Sequence, residues 1–155
     1  MKVKHVAALV CLAAVAALGA EHGNFAGTWE LNPAKSKNIG MMAQMKMVQT
    51  IEQSDSSLDV TSHTSFQGRD DDSKTHYDLS GKPATNETPM GGPAQTVSKW
   101  QSSKLVTTWT SESAVSGGPT VVRTETRWLS PDGRTMMVES VRGSSPAMVM
   151  VFEKK

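Results

Sequence analysis

Cysteine and aromatic residues are scarce in this chain, which limits what can stabilise its fold. The one cysteine, Cys11, lies in an apolar N-terminal run, and aromatic residues make up 5% of the sequence. The rest of the chain therefore has no disulfide, so burial of apolar side chains and hydrogen-bonded ladders must stabilise it. The apolar run is also too short for a comfortable transmembrane helix, which needs about 20 apolar residues.

An excess of one charge and the common catalytic motifs are absent as well. The chain has 16 basic and 15 acidic residues, without the basic stripe that binds nucleic acid or an anionic membrane. It contains no Gly-x-Ser-x-Gly elbow, phosphate-binding loop, His-Glu-x-x-His motif or cysteine nucleophile beyond the N-terminal run. We therefore predict a non-enzymatic domain with no catalytic residues, no cofactor and no nucleic-acid partner.

The N-terminus has the features of a signal peptide. A basic start precedes an apolar run over residues 6–18, and Ala17 and Gly19 are small residues at the positions that a signal peptidase reads. We predict cleavage after Gly19, so that 1–19 is removed and 20–155 forms the mature domain in the periplasm or outside the cell, without stable membrane insertion. The cut removes two lysines and no acidic residue, so the formal charge changes from +1 to −1.

The mature chain has the pattern of short β-strands. Apolar and polar residues alternate in segments rich in β-branched and aromatic residues, and turn formers such as Ser130-Pro131-Asp132-Gly133 separate the segments. A spacing of about ten residues is typical of an antiparallel meander. The predicted strands cover residues 25–31, 46–53, 57–66, 73–79, 84–87, 95–101, 104–112, 120–129, 135–142 and 147–153.

Helical signals are limited to one segment. Pro33 suits a first helical turn and Ala34, Ala43 and Gln44 favour helix, which predicts one or two turns over residues 33–43. No stretch has the pattern of a long amphipathic helix, which disfavours a parallel sheet with helical crossovers. We predict a single all-β domain, an antiparallel up-and-down barrel of eight to ten strands with one short helix.

Strand alternation predicts which side chains face the barrel interior. It directs aromatic residues of three strands inward among threonine and serine, and on the strand over 120–129 it directs Trp128 inward and Arg123, Glu125 and Arg127 outward. A barrel of about eight strands has room for packed side chains or for one small ligand. The predicted ligand-contacting residues are Phe66, Tyr77, Trp100, Trp109 and Trp128.

The opening of the mature chain resembles that of a known family. Its residues 25–37, Phe-Ala-Gly-Thr-Trp-Glu-Leu-Asn-Pro-Ala-Lys-Ser-Lys, are similar to the start of secreted bacterial lipocalin-like proteins in the broad calycin group. The resemblance continues in 77–82, 128–133 and 151–155. It implies an extracytoplasmic barrel that binds a small apolar or amphipathic molecule. It also implies a barrel floor at Gly27 and Trp29, with a cation–π contact between Trp29 and a late-strand arginine, Arg142 or Arg127.

Two other classes of function stay open. Residues 21–24 have the form of a free N-terminal arm, as in barrel-shaped inhibitors of secreted proteases, although those usually carry a disulfide. A structural envelope protein without ligand is the second alternative. We expect a monomer in either case, and an open interior of about 300 Å³ or more would favour the binding module.

Several side-chain clusters suggest metals only weakly. Met41, Met42, Met45 and Met47 have soft thioethers that suit Cu(I), but no histidine or cysteine is interleaved with them. We interpret them as an adaptable apolar lid over the barrel mouth and predict no metal site. The acidic run 70–72 lacks the spacing of a calcium loop, and His63 and His76 lack a third ligand.

Overall fold

The structure, a computed structural model, is a ten-stranded antiparallel sheet rolled into a near-closed barrel. It describes residues 22–89, 91–113 and 115–155, so the predicted signal peptide and its cleavage site lie outside the described residues. No helix in the described residues is long and apolar enough to cross a bilayer. The strands are β1 (Gly27–Leu31), β2 (Lys46–Gln53), β3 (Ser57–Phe66), β4 (Arg69–Asp78), β5 (Ala84–Glu87), β6 (Pro93–Gln101), β7 (Lys104–Ser111), β8 (Val121–Leu129), β9 (Thr135–Arg142) and β10 (Met148–Lys154).

The strand order is that of a meander closed by its two ends. Each strand pairs with the next in sequence, except that no ladder joins β4 to β5. β1 also pairs with β10, which joins the first strand to the last. One side chain spans this seam instead. The Asn86 carboxamide accepts from the His76 backbone N–H (2.9 Å) and donates to the His76 carbonyl oxygen (2.8 Å), as a neighbouring strand would.

The predicted helix is present only as a short 3₁₀ turn over Gly40–Gln44. Residues 33–35 form a turn, in which the Lys35 N–H donates to the Asn32 carbonyl oxygen at 3.3 Å and the Ser36 N–H to that of Pro33 at 3.2 Å. The Lys37 backbone then exchanges hydrogen bonds with Val149 at 2.8 and 2.9 Å. Asn38 and Gly40 both adopt φ 54°, a left-handed conformation that interrupts a helix. The connection therefore continues the edge of β10 instead of forming a helical plug.

The lower half of the barrel, the end at which β1 begins, is packed solid. Trp29, Leu58, Met136 and Phe152 have no exposed surface on the inner wall. They belong to one apolar cluster with Phe25, Leu31, Ile51, Val60, Tyr77, Leu105 and Val138, and the cluster continues to Ala94 on β6 and Trp109 on β7 nearer the upper end. The lower half of the inner wall therefore serves as the core.

The upper half of the inner face is more exposed on some strands than on others, since Ala94 on β6 and Ser140 on β9 stay buried there. Residues that alternate with outward-facing ones along β3, β8 and β10 change from buried in the lower half to half-buried near the upper end. We call this region of the inner face the upper bowl. It is lined by Ser62, Thr64, Phe66, Thr75, Ser111, Arg123, Met148 and Met150.

Candidate functional site

A buried polar layer forms the base of the upper bowl. The Tyr77 hydroxyl on β4 donates to Glu125 Oε1 on β8 across the barrel at 2.9 Å. Glu125 Oε1 lies 3.5 Å from Arg127 Nη2, and Arg127 Nη1 donates to Gln49 Oε1 on β2 at 3.4 Å. The two hydrogen bonds link β4 to β8 and β8 to β2 through buried polar side chains.

The layer holds fixed charges away from water. Burial raises the pKa of Tyr77 well above its ordinary range, and the Glu125 charge adds to the effect, so the phenol keeps its proton and donates. Arg127 is 3% exposed, and its Nε has no hydrogen-bond partner among the described residues. A buried donor without an acceptor is costly, so this part of the bowl suits a ligand that offers one.

The inner face of β8 differs from the sequence prediction. Glu125 and Arg127 point into the barrel and are buried, whereas Trp128 lies on the outer face beneath Lys104 Nζ, 4.8 Å from the ring centroid. Because Glu125 compensates the charge of Arg127, burying this pair is tolerable. The prediction assumed that charged side chains face solvent. The one sequence signal for the opposite orientation is Glu125, an acidic residue placed between Arg123 and Arg127.

The other predicted ligand-contacting residues do not converge on one place. Tyr77 and Trp109 meet edge to face at the base of the bowl, with ring centroids 6.2 Å apart. Phe66 lies at the upper rim as the last residue of β3. Trp100 lies at the lower end, stacked on His22 at 4.4 Å and on Phe25 at 5.9 Å. Ligand contact by these residues stays a prediction.

The barrel floor keeps its predicted tryptophan but has a different cation. Trp29 donates through Nε1 to the Phe25 carbonyl oxygen at 2.8 Å, and Gly27 adopts φ 126°, which favours glycine. Lys154 Nζ, not an arginine, lies 5.4 Å from the Trp29 ring centroid. Arg142 is at the opposite end of the barrel because it pairs with Arg123 near the start of β8, and Arg127 lies beside Tyr77.

Two surface clefts add no interior cavity. One, of about 480 Å³, lies at the lower end beside His22, Gln53, Leu79 and Trp100. The other, of about 310 Å³, lies beside β1 and β10 and includes Asn32 and Lys155. Both open to solvent, and neither is lined by Tyr77 or Trp109.

The suggested metal clusters have separate structural roles. The described residues contain no group of three or more histidine, cysteine or acidic side chains that could hold a metal ion. His63 pairs with Asp72 at 2.6 Å and His76 with Asp59 at 2.7 Å on the outer face. Met47 packs against the core whereas Met41 is 68% exposed, and copper binding by the methionines stays untested.

Comparison with known proteins identifies the fold. No family model matches this sequence, and a search of curated proteins found no match. Among solved structures, the REP1-NXSQ fatty acid transporter superposes with a TM-score of 0.64 at 15% identity, over 84% of this chain and 95% of that one. Echinococcus granulosus fatty-acid-binding protein 1 gives 0.65 at 14%, over 84% and 96%. Human cRBP IV gives 0.65 at 16%, over 86% and 99%. At these identities the likeness shows the fold alone, so the chain has the calycin-type β-barrel fold of these structures.

Proposed function

We propose that this protein is an exported, non-enzymatic module that binds one small amphipathic molecule in the upper bowl. One observation carries the proposal: along β3, β8 and β10 the inner wall changes from buried in the lower half to half-buried in the upper half, with a buried polar layer between. An apolar body with a few polar groups placed to orient a ligand is typical of small-molecule sites. The named lipid carriers with this fold support the same reading.

The described part of the N-terminal arm favours this function over protease inhibition. His22 stacks on Trp100, and the Gly23 carbonyl accepts from Gln53 Nε2 at 2.9 Å. Asn24 Oδ1 also accepts from the Ala26 backbone N–H at 3.1 Å. The contacts of His22 and Gly23 hold the arm against the barrel instead of leaving it free for insertion into a partner. Export rests on the leader over 1–19, and its test is mass spectrometry of the secreted or periplasmic protein for an N-terminus at Ala20.

A substitution that fills the upper bowl tests the binding proposal. Thr64 lies on the inner face of β3 and Ser65 on the outer face, and each is half-buried. We expect Thr64→Phe to weaken binding of the neutral fluorophore N-phenyl-1-naphthylamine by roughly tenfold, since the added ring occupies ligand volume.

The matched control is Ser65→Phe, which adds the same ring on the other face of the same strand. It should leave the dissociation constant within about twofold, a change well under 1 kcal/mol. Failure of the unsubstituted protein to bind the fluorophore, or equal weakening by both variants, would overturn the proposed function.

A further inference from the structure

A row of three residues crosses the inner face of β7, β8 and β9 near the upper rim. Trp109 lies directly opposite Arg123, and Arg123 lies directly opposite Arg142. The guanidinium carbon of Arg123 is 4.4 Å from the centroid of the Trp109 ring. This stacking holds Arg123 against the wall at the entrance to the upper bowl.

The two arginines of this row have no acidic partner. Neither forms an ion pair with a carboxylate of the described residues, in contrast to Arg127, which lies beside Glu125. Like charges placed directly opposite each other on a sheet repel. The half-buried Arg123 and the exposed Arg142, the last residue of β9, are therefore two uncompensated positive charges at this end of the inner face, although residues 20–155 carry a formal charge of −1.

Trp109 adds a hydrogen-bond donor that lacks an acceptor. The residue is 5% exposed, and its Nε1 has no hydrogen-bond partner among the described residues. An indole N–H can only donate, and leaving it unpaired in a buried position costs free energy. A ligand oxygen bound beside the Arg123 guanidinium would accept from this donor and neutralise the charges together.

We propose that Trp109, Arg123 and Arg142 form the binding site for an anionic head group, a carboxylate or a phosphate, of the amphipathic ligand. The proposal rests on the proposed function and adds the charge class of the ligand. Arginine pairs well with the planar or multiple oxygens of such anions. Met148 and Met150 occupy the adjacent strand on the inner face, where their thioethers can pack against an apolar tail.

Three probes with the same tail test the head group. Calorimetric titration of the ligand-free mature protein compares dodecanoate and monododecyl phosphate with neutral 1-dodecanol. We expect both anions to bind at least about tenfold more tightly than the alcohol. In Arg142→Gln this preference should fall to about twofold, with the affinity for the alcohol unchanged. Arg134→Gln, an exposed arginine in the β8–β9 turn, is the control and should behave as wild type.

A spectroscopic readout separates a binding site from a general charge effect. The ¹⁵N–¹H resonance of the Trp109 indole, assigned with Trp109→Phe, should shift with dodecanoate and not with 1-dodecanol. Equal affinities of the wild type for acid and alcohol would overturn this inference while the proposed function stands, as would a full anion preference in Arg142→Gln. Binding of none of the probes would overturn both.

Discussion

At the residue scale, the most consequential positions are charged side chains that the strand pattern alone assigns to solvent. Arg127 and Glu125 can be buried because each neutralises the other, Tyr77 donates to Glu125 and Gln49 accepts from Arg127. Sequence alternation gives the two faces of β8 but not which one is inside, since threonine and valine suit either. The burial of Tyr77 and Trp109 was predictable, because large aromatic residues in strands with an alternating pattern are usually buried.

The Tyr77 hydroxyl tests this polar layer. Tyr77→Phe leaves the Glu125 carboxylate buried with one fewer donor, so we expect the free energy of unfolding in urea to fall by about 1–3 kcal/mol. The same substitution in a Glu125→Gln background should cost clearly less, because the lost bond is then to a neutral group. Equal costs in the two backgrounds would show that the hydroxyl and the carboxylate are not coupled.

At the element scale, the strands were predictable and the seam was not. Alternation and turn residues predicted β2, β3, β5 and β9 with the bounds that the structure has. β4 begins four residues earlier than predicted. The prediction left out the three consecutive aspartates because aspartate is a poor strand former. Gln67 and Gly68, at φ 50° and 76°, form a tight turn that brings the aspartates into register with β3. The missing β4–β5 ladder depends on the distance between strands, which local sequence does not encode.

The Asn86 side chain is predicted to close this seam. Asn86→Ala removes two hydrogen bonds to the His76 backbone and one to Thr96 Oγ1, so the amide of His76 should exchange with solvent markedly faster. The free energy of unfolding should fall by about 1–3 kcal/mol, because backbone groups lose their partner. Thr85→Ala, at an exposed position of the same strand, is the control. Unchanged exchange at His76 in Asn86→Ala would show that the seam is held by other contacts.

At the scale of the whole molecule, the barrel is divided into a core and a bowl. One apolar cluster that includes Trp29 packs the lower half, which lets residues 20–155, a segment without cysteine, fold at this size. The upper half is left with half-buried methionine, threonine and arginine side chains on its inner wall. Composition and periodicity predicted the closed antiparallel barrel, but the division along its axis depends on how ten strands pack together, and the sequence carries no local signal for it.

The methionine methyl groups give the most direct test of this division. In protein labelled with ¹³C at the methionine methyls, dodecanoate should shift the signals of Met148 and Met150, whose side chains line the upper bowl. The signals of Met136 and Met137 should stay unchanged. Met136 has no exposed surface in the lower core, and Met137 faces outward between two inward-facing neighbours. Shifts confined to Met136 or Met137, or no shift at any methionine at saturating ligand, would contradict a ligand site in the upper half of the barrel.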